Sequence, residues 1–363
     1  YQDLKLRSGR ALITLNDVAE WSQVRERLSQ VFGVANFSLT VEAGLPIEEI
    51  REAIGALLEA EGPPPGTFRV RAKRSNKDYP LISPEIERDL GAYIQQRTGA
   101  PVDLRRPDRT YRVEVLHDAA YVSSETIPGP GGLPVGVSGR VVVLMSGGFD
   151  SPVAVYRMMK RGCEVTLLHC HAYPFVRSTS IEKVVELAQH LGRHQPGMRL
   201  VIVPIGQAQR QIAIATEPEI RVVLYRRLMM RIAEAIAERE GAKAIVTGES
   251  LGQVSSQTLD NLRAIGAAVK LPILRPLIGF DKEEILAEAK RIGTEPISRV
   301  PDDDCCTVFV PRHPTTHATI EEAEAAEEPL DVKALVESSL AQRTEYRGDP
   351  AKWNVMDALA GAA

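Results

Sequence analysis

The sequence predicts a two-part protein, in which an α+β N-terminal half precedes an α/β half built on a doubly wound parallel sheet. The chain has 363 residues, which at roughly 100–200 residues per domain corresponds to two or three domains. Prolines and glycines at residues 128–134 interrupt the hydrophobic patterns. Beyond them, apolar strands that do not alternate are separated by helical patterns, which is typical of a parallel sheet covered on both faces.

In the first half, short strands and helices follow one another in small units. Alternating residues around a Ser-Gly turn predict a β-hairpin over residues 4–15. The later patterns predict helices over residues 17–30, 46–59 and 84–97, the last of them capped by Ser83. The predicted strands are residues 37–41, 67–72, 102–105 and 109–116.

From Arg140 onward, strands and helices alternate regularly. The predicted strands are residues 140–144, 164–170, 199–204 and 244–247, and the predicted helices are residues 152–161, 181–191, 219–240 and 282–292. Residues 320–328 are acidic and rich in alanine, which predicts a solvated helix without a function.

The composition excludes several classes of protein. Hydrophobic residues make up 44% and charged residues 25% of the chain, as in an ordinary globular protein. No apolar run reaches the roughly 18 residues of a membrane span, and no signal peptide is evident, so we expect a cytoplasmic protein without a membrane partner. The net charge of -4 argues against a protein that coats nucleic acid, provided that the charge is evenly spread. Because the chain opens at Tyr1 in the middle of a pattern, we expect a segment before it.

The cysteines indicate neither a disulfide scaffold nor a metal site. Cys163, Cys170, Cys305 and Cys306 are too few and too irregular for a scaffold in a chain of this length. No C-x-x-C pair is present, so the sequence predicts no metal-ligating residues. The adjacent pair Cys305 and Cys306 remains a candidate redox or nucleophilic feature.

A glycine-rich loop, SGGFDS at residues 146–151, follows one predicted strand and opens a helix. Ligands of α/β proteins bind at this edge of the sheet. The glycines allow the backbone to approach an anion, two serines supply hydroxyl groups, and the helix N-terminus supplies a positive dipole end. The loop lacks the lysine of a P-loop and the G-x-G-x-x-G pattern, which excludes kinases, P-loop NTPases and nicotinamide dehydrogenases. For the glycines alone, a tight turn with Ser151 as a helix cap remains the alternative.

The complete loop resembles the PP-loop of ATP pyrophosphatases, enzymes that cleave ATP between the α- and β-phosphates and adenylate a carbonyl oxygen. Three further strings narrow the resemblance: TGESLGQVSSQTLDNL at residues 247–262, LRPLIGFDK at residues 274–282 and DCCT at residues 304–307. The first of these, taken alone, would also suit a polar surface loop. Together they resemble the tRNA 4-thiouridine synthetase family, which is also linked to thiamine thiazole formation, and the resemblance covers nearly the whole chain.

The resemblance implies an ATP-dependent tRNA sulfurtransferase. It would adenylate O4 of a tRNA uridine, expected at position 8, and transfer persulfide sulfur to give 4-thiouridine. ATP and a Mg²⁺–pyrophosphate unit are the implied cofactors, and Asp150, Lys282 and Cys305 are the implied catalytic residues. The implied nucleotide contacts are Leu144, Met145, Ser146, Gly147, Gly148, Asp150, Ser151, His169, Cys170, Arg226, Gly248 and Gln257.

The resemblance also divides the chain. Residues 1–43 would be a ferredoxin-like domain whose start is missing, residues 44–127 a THUMP RNA-binding domain, residues 128–139 a linker, residues 140–312 the PP-loop domain and residues 313–363 an acidic helical tail. The implied RNA contacts are Arg69, Arg71, Lys73, Arg74, Lys77 and Arg109, the first five within nine positions. A net acidic chain can carry such a local basic face. A solvated strand edge is the alternative for these residues. Few aromatic residues lie nearby, which favours recognition of folded RNA shape.

The implied partners are tRNA and a source of persulfide sulfur. Some relatives end in a rhodanese-like domain that bears the persulfide, and we expect this chain to be a form without it. A cysteine desulfurase would then load Cys305 directly, with Cys306 as the resolving thiol, or a sulfur-carrier protein would intervene. The thiamine role is less secure without that domain, and the resemblance allows a homodimer. Two alternatives remain, another PP-loop tRNA modifier such as a 2-thiolase or ligase, and a THUMP RNA-binding protein without catalysis.

Overall fold

The computed structural model describes residues 2–7, 10–16, 18, 20–301, 308–309, 311 and 313–354. Cys305 and Cys306 therefore lie outside the described residues. The chain forms two compact units, Tyr1–Gly131 and Gly132–Ala363. Within the described ranges, no helix is long and apolar enough to cross a membrane.

The first unit combines small sheets with three helices. Its strands are β1 (Asp3–Arg7), β2 (Arg10–Thr14), β3 (Asn36–Phe37), β4 (Val41–Ala43), β5 (Phe68–Arg74), β6 (Arg109–Val115), β7 (Ala120–Ser123) and β8 (Ile127–Pro128), and its helices are α1 (Trp21–Leu28), α2 (Ile47–Glu61) and α3 (Ser83–Thr98). Strands β1 and β2 form the expected hairpin, and β3 pairs with β8. The main sheet has the order β4-β7-β6-β5, in which only β5 and β6 are parallel.

Helices α2 and α3 cover one face of this sheet. Helix α3 buries Ile86, Leu90 and Ile94, which are spaced by four residues and therefore lie along one side of the helix. They share a core with Phe68 of β5 and Tyr111 of β6, whose rings meet edge to face at 6.1 Å. Since successive strand residues point to opposite faces, the basic residues between the buried positions of β5 face away from the helices.

The second unit is the larger one. Its strands are β9 (Arg140–Leu144), β10 (Glu164–His171), β11 (Arg199–Pro204), β12 (Ala244–Val246), β13 (Ile273–Leu274) and β14 (Thr344–Arg347). Its helices are α4 (Asp150–Lys160), α5 (Thr179–Leu191), α6 (Gly206–Ala215), α7 (Arg221–Glu240), α8 (Leu259–Gly266), α9 (Lys282–Ile292), α10 (Glu295–Ser298), α11 (Ile320–Glu327) and α12 (Val332–Ala341).

These strands form one sheet of order β13-β12-β9-β10-β11-β14. All neighbouring pairs are parallel except β11 and β14. The central strand β9 is buried on both sides, because Val142 packs in the core that includes α7 while Val141 and Val143 point the other way and are also buried. Helices α4 and α5 contact β10, and α7 contacts β9 and β12. The predicted α+β half followed by a doubly wound parallel sheet is confirmed.

Two local predictions in the first unit were wrong. Residues 102–105 form only a single bridge, from Val102 to Phe68. Prolines at positions 101 and 107 flank the segment and have no N–H group for a strand ladder. Ser83 is the first residue of α3 rather than its cap, and Glu85 Oε2 instead accepts a hydrogen bond from the Ile82 N–H at 2.9 Å.

The prediction of a solvated acidic helix at residues 320–328 was also wrong. Helix α11 inserts Ala323 into the core, where it is fully buried. Glu327 accepts hydrogen bonds from Arg227 at 2.8 and 2.9 Å and from Arg231 at 2.7 and 2.8 Å, both on α7. Farther on, β14 extends the sheet at the β11 edge. The small residues and the acidic residue of this segment therefore belong to the packed unit.

Removing the Glu327 carboxylate leaves Arg227 charged and almost completely buried. Burial disfavours the ionised form of Glu327, but the hydrogen bonds from Arg231 and Arg227 outweigh it and hold its pKa below the usual value. We therefore expect Glu327→Ala to lower the free energy of unfolding at neutral pH by about 3–5 kcal/mol. Because the folded pKa is depressed, this loss should shrink as the pH falls through it.

Urea unfolding, followed by a signal from the second unit, measures the change in the free energy of unfolding. Glu337→Ala is the matched control. Glu337 forms an exposed helical pair with Lys333 at 3.8 Å, and its loss should cost less than about 0.5 kcal/mol. Equal destabilisation by the two substitutions would contradict the assignment of a buried ion pair.

Candidate active site

Hydrogen bonds between Ser146 and Ser151 stabilise the glycine loop, and the start of helix α4 is left available to a ligand. Ser151 Oγ accepts a hydrogen bond from the Ser146 N–H at 2.9 Å and donates one to the Ser146 carbonyl at 3.1 Å. The N-cap residue is Phe149, which has no side-chain hydrogen bond to the helix. Ser151 therefore stabilises the loop conformation. It is not the N-cap of α4, as the interpretation of the loop as a simple tight turn required. The first N–H groups of α4 lack intrahelical acceptors and can bind an anion.

Gly248 brings the segment after β12 against this helix start. A Cβ atom at position 248 would lie 2.8 Å from the Ser151 nitrogen and 2.9 Å from the Asp150 carbonyl carbon. Both are backbone atoms that cannot swing aside, so only glycine fits here. The close approach places residues 247–262 directly beside the loop, as the adjacent positions of β12 and β9 in the sheet predict.

A buried carboxylate holds that string in place. Glu249 is 2% exposed, and its Oε2 accepts hydrogen bonds from Thr247 Oγ1 at 2.8 Å and Arg275 Nε at 2.7 Å. Ser250 Oγ donates to the Phe280 carbonyl at 2.6 Å. Residues 247–262 and 274–282 are thus joined by these hydrogen bonds. Sequence reasoning missed Glu249 and Arg275, although their places inside the two quoted strings were a signal.

Asp150, Gln253 and Lys282 converge at the helix start. Gln253 Nε2 donates to Asp150 Oδ2 at 3.1 Å, and the Lys282 ammonium is near enough to act on the carboxylate. Burial raises the pKa of Asp150 above its usual value, while the hydrogen bond from Gln253 and the charge of Lys282 oppose that rise. The carboxylate is therefore a group whose ionised form gains from a nearby cation.

Magnesium would need ligands from outside the protein. Among the residues that the structure describes, no group of three or more His, Cys, Asp or Glu side chains could hold a metal ion. Mg²⁺ usually takes one or two carboxylates and completes its octahedron with waters and phosphate oxygens. Asp150 beside the phosphate-binding loop fits that requirement.

The ends of β9 and β10 meet at a buried histidine. His169 is 4% exposed, and its Nδ1 lies 2.9 Å from the Met145 carbonyl oxygen, while Nε2 lies 3.4 Å from Ser180 Oγ of α5. Cys170 is buried beside it, and Leu144 is partly buried. The nucleotide contacts implied at β9 and β10 therefore form one cluster at the carboxyl edge of the sheet.

Gln257 offers a buried acceptor to a ligand. It ends a short turn, Ser255–Gln257, and is 5% exposed. Among the described residues, its Oε1 has no hydrogen-bond partner, which costs about 1–3 kcal/mol in a folded protein. A nucleotide with an N–H or O–H donor would satisfy this atom, so the residues present fit ATP. Arg226, on α7, is partly buried.

The chain that leads to Cys305 is anchored on both sides. Ser298 Oγ donates to the Gly148 carbonyl at 3.1 Å, which ties α10 to the loop. After the cysteines, Phe309 packs edge to face on Phe175 at 5.5 Å. In the sequence, Cys305 is seven residues from Ser298 and four from Phe309.

The predicted RNA contacts of the first unit fall into two groups. Arg69, Arg71 and Lys73 alternate with buried residues on β5 and lie on the face away from the helices. Arg112 is paired with Arg71 in the adjacent strand and is exposed on that face. Lys77 is exposed in the loop after β5. Arg69 donates to Thr110 Oγ1 and to the Leu104 carbonyl, both at 3.1 Å. Arg71 pairs with Glu87 of α3 at 3.8 Å.

The other two predicted contacts lie on the opposite side of the sheet and also have protein partners. Arg74 donates from Nη1 to the Tyr79 carbonyl at 3.1 Å. Arg109 pairs with Glu61 at 3.3 Å. By the alternation of their strands, both lie on the helix side of the sheet. The basic face is therefore centred on Arg69, Arg71, Lys73 and Arg112.

Replacing Gly248 by alanine should damage the site through one methyl group. The backbone of Asp150 and Ser151 would have to shift, and overpacking of this kind costs about 1–3 kcal/mol. We expect ATP affinity, measured by calorimetry, to fall by about tenfold or more. The control is Gly279→Ala, because a Cβ at position 279 meets nothing within 4 Å. Equal affinities of the two variants would show that the close approach is unimportant.

Comparisons with known proteins agree with this geometry. Residues 46–125 match the THUMP domain family, and residues 136–332 match the family described as thiamine biosynthesis protein (ThiI). A probable tRNA sulfurtransferase from Thermus thermophilus is 50% identical over 323 residues, which are 89% of this chain and 79% of the relative. Another, from Moorella thermoacetica, is 47% identical over 333 residues, which are 92% of this chain and 84% of the relative.

A solved structure resembles both units. The crystal structure of a 4-thiouridine synthetase–RNA complex with bound ATP has a TM-score of 0.88 to this chain at 35% sequence identity, and the match covers 95% of this chain and 90% of that one. The ThiI match spans more than half of the chain. The chain carries a THUMP domain and belongs to the thiamine biosynthesis protein (ThiI) family.

Proposed function

We propose that the protein is an ATP-dependent tRNA sulfurtransferase that converts a uridine of tRNA to 4-thiouridine. The observation that carries the proposal is the hydrogen bond from Ser298 to Gly148, because it tethers the cysteine-bearing segment to the anion-binding loop. The names of the relatives and the RNA- and ATP-bound neighbour support it. The link to thiamine synthesis rests on the family name alone.

The first half of the reaction is adenylation of the uridine. ATP, when bound, supplies an adenylyl group that turns O4 of the base into a leaving group. The N–H groups at the start of α4 would hold phosphate oxygens, and Asp150 would be a ligand of the accompanying Mg²⁺. Lys282 neutralises negative charge as pyrophosphate separates, and Gln257 accepts a hydrogen bond from the nucleotide. Gln253 holds the Asp150 carboxylate in place.

The second half of the reaction replaces the leaving group with sulfur. The terminal sulfur of a persulfide on Cys305 attacks C4, the C4–O bond breaks, and AMP departs with the electron pair. A second thiol, for which Cys306 is adjacent in the sequence, then attacks the Cys305 sulfur of the mixed disulfide. This releases 4-thiouridine and leaves a protein disulfide that an external thiol reductant must reduce. We propose a cysteine desulfurase as the persulfide donor, and a sulfur-carrier protein stays an alternative.

The basic face of the THUMP domain is the proposed tRNA-docking surface. Arg71, Lys73 and Arg112 are exposed there, and such side chains bind phosphates regardless of sequence. Arg71 also pairs with Glu87 of α3 at 3.8 Å, an exposed pair that a phosphate would have to share. Uridine 8 stays the expected target, and reaching a base within folded tRNA requires it to leave its stack. We place the reaction in the cytoplasm, where tRNA is available, and the homodimer stays a prediction.

The test of the function is reconstitution with tRNA that lacks modifications. Protein, ATP, Mg²⁺, a cysteine desulfurase, cysteine and a thiol reductant should produce the near-ultraviolet absorbance of 4-thiouridine, and nucleoside analysis should give that nucleoside alone. Cys305→Ser should abolish the product, while Cys163→Ser, a change at a buried cysteine, should retain it. A 2-thiolated nucleoside, or full activity of Cys305→Ser, would contradict the proposed reaction.

Asp150→Asn should lower the thiolation activity without lowering the stability of the fold. We expect the rate of thiolation to fall by about 100-fold or more, because the group that ligates the cation is lost. Folding raises the pKa of Asp150, so its ionised form opposes folding once the pH exceeds the folded pKa. Without nucleotide, the variant should therefore melt at the same or a higher temperature than the wild type at pH 7. The difference should vanish below about pH 4, where the carboxyl is protonated in both states.

Differential scanning calorimetry at both pH values and the thiolation assay check this prediction. The control is Asp281→Ala, which removes the cap of the neighbouring helix α9 and should lower stability by about 1 kcal/mol while sparing the chemistry. A nucleotide-free Asp150→Asn protein that melts well below the wild type at pH 7 would show that the carboxylate stabilises the fold.

A further inference from the structure

A lysine outside every quoted motif is buried next to the cysteine-bearing segment. Lys183 lies in α5 and is 3% exposed. Its Nζ donates to the Val300 carbonyl at 2.6 Å and to the Ser298 carbonyl at 3.2 Å. A buried ammonium is costly unless it is well hydrogen-bonded. The hydrogen bonds to the two carbonyls offset part of that cost, and an apolar side chain at this position would leave both carbonyls without this donor.

The two acceptors lie where helix α10 ends and the chain continues towards Cys305. The last carbonyls of a helix have no intrahelical donors, and a lysine can supply them. Val300 is five residues before Cys305 and is followed by Pro301, which has no N–H group of its own. Lys183 is therefore the described contact that fixes the backbone closest to the cysteines on this side.

The same region also contacts the nucleotide site at two points. Ser298, whose carbonyl accepts from Lys183, donates through its hydroxyl to the Gly148 carbonyl of the loop. Helix α5, which carries Lys183, also carries Ser180, whose Oγ lies 3.4 Å from His169 Nε2. Lys183 thus connects the helix beside the nucleotide cluster to the start of the cysteine-bearing segment.

We propose that Lys183 is a positioning residue for sulfur transfer, which holds the start of the cysteine-bearing segment at a fixed distance from the loop. The inference rests on the proposed function, in which Cys305 attacks the adenylated uridine. Adenylation uses the loop, Asp150 and Lys282 and does not need the cysteine. Sulfur transfer requires the persulfide and C4 of the base in attack geometry, and a misplacement of about 1 Å can cost about 100-fold in rate.

The test measures two products of the same reaction mixture. Pyrophosphate released in the presence of tRNA reports adenylation, and 4-thiouridine reports sulfur transfer. The ratio of pyrophosphate to 4-thiouridine does not depend on how much of the protein is folded. It therefore distinguishes an effect on positioning from an effect on stability. For the wild type we expect a ratio near one, since each adenylation ends in thiolation.

Lys183→Met should uncouple adenylation from sulfur transfer. We expect 4-thiouridine formation to fall by about 10- to 100-fold, with pyrophosphate release within about threefold of wild type, so that the ratio of pyrophosphate to 4-thiouridine rises at least about threefold. Lys183→Arg should recover much of the coupling, because a guanidinium also donates to two carbonyls. Lys290→Met is the matched control, since Lys290 is exposed on α9, and it should keep the wild-type ratio.

Two outcomes would overturn the inference. An unchanged ratio in Lys183→Met, which includes an equal loss of both products, would make the lysine purely structural. Failure of Lys183→Arg to restore coupling would exclude the hydrogen bonds to the two carbonyls as the cause. Absence of 4-thiouridine with the wild-type protein is a separate result, because it would refute the proposed function.

Discussion

The parallel pairing of β9 with β10 and β12 is the constraint on which the active site depends. Val142 of β9 lies between Thr166 of β10 and Ile245 of β12 in the ladder. Because parallel strands end at the same edge of a sheet, the segments that follow them meet there. The glycine loop, the His169 cluster and Gly248 come from different parts of the chain, with His169 about 20 and Gly248 about 100 residues after the loop. An antiparallel neighbour would place one of them at the opposite edge.

The resulting site is costly to the protein when no ligand is bound. Burial disfavours the ionised form of Asp150, and the buried Gln257 Oε1 lacks a partner among the described residues. A cation near the carboxylate would relieve the first cost, and a hydrogen-bond donor of a nucleotide would relieve the second. In the proposed function, ATP and its accompanying cation would supply both.

Local patterns sufficed wherever the neighbouring residues determine the structure. Strand β11 and helix α9 have the predicted bounds, the first because its apolar run is uninterrupted and the second because Asp281 and Glu284 form a capping box. The acidic segment around Glu327 misled the prediction because its arginine partners lie about 100 residues earlier. The charge pattern of α11 is that of a solvated helix until those arginines are placed beside it.

The same distinction applies to the site: some of its features are determined by neighbouring residues and others by residues far away in the sequence. The glycine loop was evident from its own residues, because anion binding needs glycines, hydroxyls and a helix start in immediate succession. Lys183 was not, since its meaning comes from carbonyls 115 and 117 residues away. In the proposed function, one motif serves adenylation and the other sulfur transfer, but neither motif specifies how the two are placed. Among the described residues, the backbone that precedes the cysteines is held by bonds from side chains to main-chain atoms, Ser298 to Gly148 and Lys183 to Val300. The proposed coupling of the two steps would thus depend on the tertiary structure.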